Sequence, residues 1–218
     1  MIKSGNFEVK EENLNKVIIE YYPTQPEQKP DKSPTPGRCL DVPYSAQWES
    51  DAMNFRRDCG AACVEMVGEY YRGQLQGVGT NEIMHYITGG KDENTGYDDL
   101  KGGLLHFYNV DLIYRRSAAH TLDLLRSHVD ADTPTIVLVR YGHIHLRMDL
   151  SYVGGHWMVV CGYDQFQWAK DTVQRIIVHD PDWMRNDMAQ GGYLPITENM
   201  FTRAWEYYTN IVLIPKPL

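Results

Sequence analysis

From residue 59 onward the apolar positions fall first into helical periods and then into short β-type runs. Ala62, Cys63, Met66, Val67 and Tyr70 recur at three- and four-residue steps. That spacing predicts a helix over 59–71 with one buried stripe, ended by Gly73 and Gly77. A short helix is predicted after Thr80, read as its N-cap, with Ile83, Met84 and Ile87 inward. A third covers about 97–107 on Leu100, Leu104 and Leu105, although Gly102 and Gly103 weigh against it. Leu122, Leu125 and Val129 predict a fourth over 121–129, and a fifth runs from Thr197 through Trp205. The remaining apolar runs are too short for helices and rich in β-branched residues. "CLDVPY" (39–44), "VDLIYR" (110–115), "PTIVLVR" (134–140), "HWMVVCGYD" (156–164), "RIIVHD" (175–180) and "NIVLIP" (210–215) therefore read as strands. Helices cluster early and strands late. This order predicts an α+β fold, a helical N-terminal half packed on a mostly antiparallel β-sheet.

The chain before this pattern is different. Residues 1–22 are polar apart from a β-like patch at 17–22, and residues 23–36 hold five of the eleven prolines. Residues 1–37 are accordingly expected to be a flexible arm and Pro-rich linker that docks on the domain or on a partner, and 38–218 one compact domain. With 43% hydrophobic and 23% charged residues, that domain has enough apolar material for a core without disulfide staples.

The formal net charge of -8 works against nucleic acid and anionic membranes as partners. The pairs Arg56, Arg57 and Arg115, Arg116 are too isolated to reverse it locally. No stretch approaches the roughly 20 apolar residues of a membrane span. The N-terminus has no signal-peptide core, its longest apolar run being Val17, Ile18 and Ile19. A cytoplasmic location is therefore expected, unless an export signal precedes the sequence. Cys39, Cys59, Cys63 and Cys161 show no Cys-x-x-Cys spacing of the metal-binding kind.

One of these cysteines stands at a chemically favourable place. Cys59 opens the predicted helix, where unpaired N–H groups carry partial positive charge and favour thiolate over thiol. Gly60 beside it lets a substrate approach the backbone, and the Cys59 N–H can face a developing oxyanion. Taken alone, a free cysteine is more often a buried structural residue, and Cys63, one turn on, reads that way. A thiolate needs a base. His156 follows Gly154 and Gly155 and opens an apolar strand, although a polar residue at a strand end is also ordinary. If 156–164 and 175–180 pair as an antiparallel hairpin turning near Trp168, His156 falls opposite Asp180, within reach of a cross-strand pair. A carboxylate there can set the imidazole tautomer and stabilise its cation. His179 points to the other face, to surface or core. Gln47, 12 residues before Cys59, offers an amide donor for an oxyanion but in isolation reads as a loop residue.

The ordered series "DVPYSAQ", "DCGAACVEMVGEYY", "GGHWMVVCGYD" and "VHDPDW" resembles papain-fold cysteine peptidases, and more narrowly the bacteriocin-processing (double-glycine-leader) peptidase group and its relatives. The resemblance runs from about Leu40 to the final strand. It implies Cys59 as nucleophile, His156 as general base and acid, Asp180 as the group orienting His156, and Gln47 as oxyanion donor. The gap from Gln47 to Cys59 is longer than in the leader-processing enzymes, and no transporter follows, so processing coupled to export is not expected.

The implied function is cysteine peptidase or amidase chemistry on a peptide or protein substrate through a thioester, with no metal or organic cofactor. Two alternatives use the same residues: an acyltransferase or transglutaminase-like enzyme that passes the thioester to an amine, and a non-catalytic papain-like binding domain. "HIH" at 143–145 is a two-imidazole pair without a third ligand nearby, so a loop or rim role is expected. Trp183 and Tyr193 follow Asp180 and are either pocket walls or packing. Trp157 is expected in the core and Trp168 on the hairpin surface.

Overall fold

The computed structural model describes residues 37–48, 57–144, 151–182 and 191–218. The expected arm lies outside them except for Gly37, as do Arg56, His145 and Trp183. Five helices are described: α1 (Cys59–Arg72), α2 (Thr80–Thr88), α3 (Tyr97–Tyr108), α4 (Leu122–Asp130) and α5 (Glu198–Glu206). The strands are β1 (Arg38–Cys39), β2 (Val110–Arg116), β3 (Thr135–Arg140), β4 (Gly155–Trp168), β5 (Asp171–His179), β6 (Leu194–Thr197) and β7 (Ile211–Pro217). They form one sheet in the order β2-β7-β3-β4-β5-β6, with β1 paired to β4, and every one of these pairs is antiparallel. The α+β arrangement expected from the element order is the one observed.

The centre of the sheet carries the site. Residues 156–162 of β4 are buried without interruption, so both faces of that strand are covered. The helix α1 packs on β4, with α2 and α3 packed on α1. Its buried residues include Ala62, Cys63, Met66 and Val67 of the predicted stripe, while Tyr70 is only half-buried. The two glycines of α3 weaken it as an isolated helix but not in place. Gly103 faces Val64, Ile83 and Ile87, and a side chain there would crowd all three. Helix propensity yields here to close helix–helix approach.

Several details differ from expectation. Of the first run, 39–44, only Cys39 is strand, together with Arg38 before it; Leu40 adds one amide bond to the Cys161 carbonyl (2.8 Å), after which the chain leaves the ladder. The N-cap of α2 is Gly79 rather than Thr80, and the Glu82 carboxylate accepts the Gly79 N–H at 3.0 Å. The Thr80 hydroxyl instead donates to Glu65 (2.6 Å), which also accepts the Ser45 hydroxyl at 2.8 Å. This buried knot ties the Ser45 loop to α1. The strand β6 was not anticipated. The β4–β5 hairpin turns at Ala169 and Lys170, later than Trp168, and a bulge between Val160 and Gly162 shifts its register. Trp157 is buried and donates to the Thr95 carbonyl (3.0 Å), while Trp168 is exposed, as expected.

His179 ends β5 inside the core. Its Nε2 bonds to the Val42 carbonyl (2.8 Å), and its Nδ1 accepts the Tyr193 N–H at 2.9 Å. The second bond requires an unprotonated Nδ1, so the ring is neutral and its tautomer fixed. Burial pushes its pKa down to about 4, against a weaker opposing effect of the Val42 carbonyl. Tyr193 packs edge-on against this ring, at 4.5 Å between centroids, so packing, not a pocket wall, describes it.

Because the folded pKa lies below the ordinary 6.5, His179 favours the folded state fully above about pH 6.5 and loses that contribution as pH falls toward 4. Urea unfolding should show about 3 kcal/mol of stability lost over this window through His179. In His179→Gln that part of the pH dependence should vanish. An unchanged acid limb in the variant would exclude His179 as its source.

Candidate active site

Cys59 is the first residue of α1, and Asp58 precedes it as N-cap without a side-chain cap bond. The Cys59 thiol therefore sits where the first unpaired N–H groups of a 14-residue helix point. It is part-exposed, whereas Cys63 one turn on is fully buried. Burial pushes the Cys63 thiol well up, and the charges of Cys59 and Asp180 add to that. One helix thus separates a reachable thiol from a packing one.

Gly60 serves a different purpose from the one expected. It is buried, and a Cβ there would run into Thr95 and Leu100. The glycine lets the head of α1 seat against the segment leading into α3, which fixes where Cys59 stands.

His156 is the second residue of β4, level with Val139 of β3. Asp180 lies one residue beyond β5. Since Val159 pairs with His179, continuing the ladder would set Met158, not His156, level with Asp180. The expected pairing was therefore two residues out of register. The face was right, because residues 156 and 158 share one side of the strand. The two side chains meet on the diagonal, with His156 Nε2 2.7 Å from Asp180 Oδ1. Both are buried, Asp180 to 1% exposure.

With Nε2 committed to Asp180, Nδ1 is the ring nitrogen left for Cys59. Burial alone would lower the His156 pKa. The Asp180 charge and hydrogen bond overcome it, a hydrogen bond and charge from Cys59 add to them, and the net result is a rise to about 10. The ring is therefore an imidazolium through neutral pH, beside Cys59 at a helix N-terminus.

The pair is held from all sides. Asp180 Oδ1 also accepts the Asp182 N–H (2.9 Å), and the Asp180 carbonyl accepts the Tyr44 hydroxyl at 3.0 Å. The Asp180 N–H donates to the Gly191 carbonyl (2.9 Å), and a side chain at Gly191 would strike both Tyr44 and Asp180. Tyr141 stacks on the His156 ring with centroids 4.1 Å apart. Gln47 is buried; its N–H donates to the Pro181 carbonyl (2.9 Å) and its side-chain amide to Asp182 Oδ1 (3.4 Å). The structure thus brings Gln47 to the Asp180–Asp182 loop, with Trp48 Nε1 on the same carboxylate.

Sequence reasoning missed Tyr141, Tyr44 and Asp182. The last two stand inside the quoted motifs "DVPYSAQ" and "VHDPDW", which was their only signal. Tyr141 stands outside the quoted motifs. His143 bonds through Nδ1 to the Arg203 carbonyl (3.3 Å) and packs beside Tyr207, while His145, the other imidazole of that pair, lies outside the described residues. Among the described residues no group of three or more His, Cys, Asp or Glu is arranged to hold a metal ion. Nor is any described helix long and apolar enough to cross a membrane.

The model of the Peptidase_C39 like family matches residues 39–212. The chain belongs to that family. Membership makes it a thiol-dependent, peptidase-type hydrolase, the class the ordered motifs pointed to. No curated protein matches it in sequence. Among solved structures it is similar to a candidate C39-like peptidase from Bacillus anthracis, at 14% identity and TM-score 0.55, covering 84% of this chain and 98% of that one. It is also similar to UfSP from C. elegans at 12% identity and TM-score 0.51, covering 84% of this chain but 34% of that one. At these identities the likeness is one of fold, and it agrees with the papain-like architecture.

The raised His156 pKa has a direct consequence. Its extra stabilisation of the folded state is fully present below the ordinary 6.5 and is lost as pH rises through about 10. Followed by NMR, the His156 ring should stay protonated through neutrality. In Asp180→Asn its titration should move down by at least about one unit. A wild-type ring titrating at its ordinary value would overturn the charge assignment.

Proposed function

We propose that this chain hydrolyses a peptide or other amide bond with Cys59 as nucleophile, His156 as proton donor and acceptor, Asp180 as the group that orients and charges His156, and Gln47 as an oxyanion donor. The observation that carries the reading is His156 bonded at Nε2 to buried Asp180 while interacting with Cys59 at the head of α1. The catalytic unit is proposed as residues 38–218, with the preceding arm as a tether to a partner.

The chemistry runs in two halves. The Cys59 thiolate attacks the substrate carbonyl carbon, and the carbonyl electron pair moves to oxygen. Gln47 and the N–H groups at the start of α1 donate to that oxyanion. The bond from the Gln47 amide to Asp182 Oδ1 (3.4 Å) holds that side chain beside the Asp180–Asp182 loop. As the oxyanion collapses, the C–N bond breaks and the imidazolium gives its proton to the leaving amine. The product is a thioester and a neutral imidazole. That imidazole then takes a proton from water, hydroxide oxygen attacks the thioester, and the C–S bond breaks to return the thiolate. Asp180 stays ionised and holds the ring in one tautomer. No step calls for a metal or an organic cofactor.

The part-exposed thiol favours this reading over a purely binding role, since a scaffold kept for binding has no need to leave Cys59 reachable. Hydrolysis and transfer to an amine share every step up to the thioester. Profiling with a peptide library should give cleavage by wild type and a loss of more than about 10³-fold in Cys59→Ala. The same products should appear with a free carboxylate whether or not a primary amine is added. Amine-capped products in its presence would assign acyl transfer instead, and equal activity of wild type and variant would refute Cys59 as nucleophile.

A further inference from the structure

We infer that Tyr141 is a positioning residue of this site, holding the His156 imidazole between Asp180 and Cys59 by stacking on its face. The inference rests on the reading of Cys59, His156 and Asp180 given above and assigns a residue outside it. Three observations carry it. The Tyr141 ring lies over the His156 ring at 4.1 Å between centroids and 29° between planes. Its hydroxyl reaches Asp180 Oδ2 at 3.4 Å and the Asp182 carbonyl at 3.2 Å. Its backbone is anchored beside His156, because the Tyr141 N–H donates to the Gly154 carbonyl (3.2 Å) and Val139, two residues earlier, is the β3 partner of His156.

Each contact has a separate effect. An imidazole is free to turn about its Cβ–Cγ bond unless something closes its faces, and the Asp180 bond fixes only one edge. The stacked phenol ring removes that freedom and keeps Nδ1 turned to the thiol. The negative face of an aromatic ring also favours a cation lying on it, so Tyr141 supports the imidazolium over the neutral ring. The hydroxyl has one proton and two acceptors. It tethers the Tyr141 ring to the loop that carries Asp180, so phenol, imidazole and carboxylate move as one unit. The titratable groups facing His156 are Asp180 beyond β5, Cys59 at the head of α1 and Tyr141 itself, from the turn after β3. Tyr141 is the one that bears on the ring face rather than on a nitrogen.

The test compares Tyr141→Phe, which keeps the aromatic face, with Tyr141→Leu, which fills space without it. Three readouts are taken on the full chain: NMR titration of His156, iodoacetamide labelling of Cys59 near neutral pH, and labelling of exposed Cys39 as an internal reference. Phe, which keeps the stacked face and loses only the hydroxyl tether, should shift the titration and the labelling ratio by less than about half as much as Leu. Leu should lower the His156 titration by about one unit and slow Cys59 labelling roughly tenfold or more relative to Cys39. If Leu opens the fold, buried Cys63 becomes labelled, and Tyr141→Met takes its place under the same criteria. A Leu or Met variant with wild-type titration and labelling overturns the inference, as does a Phe variant that loses as much as Leu. Cys59 labelling no faster than Cys39 in wild type would instead count against the nucleophile. The His156 titration would still decide the role of Tyr141.

Discussion

The 2.7 Å bond between His156 and Asp180 is the constraint around which the described structure is arranged. Two buried ionisable groups are costly to hold in a folded protein unless they are paired and their remaining lone pairs satisfied. Even then such a pair is weak as a stabiliser against an apolar pair of similar volume. The surroundings of this pair read as the conditions for keeping it. Asp180 takes bonds at its carboxylate from His156 and from the Asp182 N–H, and its own N–H and carbonyl are tied to Gly191 and Tyr44. Gly191 is there because a larger residue would displace Tyr44 or Asp180. Asp182 turns back to hold Gln47 and Trp48. What the pair does not return in stability it returns as a charged imidazole that would otherwise be neutral when buried.

How much of this was legible depends on whether the signal was periodic or geometric. The helix from Cys59 was readable because its stripe at three- and four-residue steps is dictated by one buried face, and the core strands because apolar β-branched runs have few other uses. The facing of His156 and Asp180 was readable because side chains alternate along a strand. Their register was not. The hairpin turns on Ala169 and Lys170, which carry none of the Gly, Asn or Asp chemistry that marks a tight turn, although Ala169 does adopt φ 54°. A bulge past Val160 adds a second shift that no residue type announced. The loop that Tyr141 opens was placed beside His156, but the residue itself was not singled out for a related reason: its partner lies across a strand pair rather than along the chain. Gly60 was read for its openness to substrate, yet its missing Cβ is taken up by Thr95 and Leu100. A glycine in a sequence shows that space is needed without showing which side needs it.

The two adjacent histidine environments show how little sequence distance has to do with charge. His156 and His179 sit on neighbouring strands, and both are buried. One ring is raised to about 10 and the other lowered to about 4. Burial acts in the same direction on both, so the difference lies in the partners. His156 meets a carboxylate on Nε2 and a thiol beside it. His179 meets a carbonyl on Nε2 and an N–H donor on Nδ1, and that N–H cannot coexist with a second ring proton.

This contrast also bears on the site itself. His179 is next in sequence to Asp180, and Tyr44 touches both, its ring edge-on to His179 at 5.4 Å and its hydroxyl on the Asp180 carbonyl. The His179 ring meets the Val42 carbonyl and the Tyr193 N–H rather than the Asp180 carboxylate, so its charge state is set apart from that of the His156 pair. A backbone donor and a backbone acceptor hold His179 neutral and keep an unpaired charge out of this part of the core. The Asp180 carboxylate pairs with the other ring, His156, the one that interacts with Cys59. The chain thus uses one histidine as a fixed neutral strut and the other as a held cation. The choice is made by what each nitrogen meets, a constraint imposed by Val42 and Tyr193 as much as by the three residues of the proposed triad.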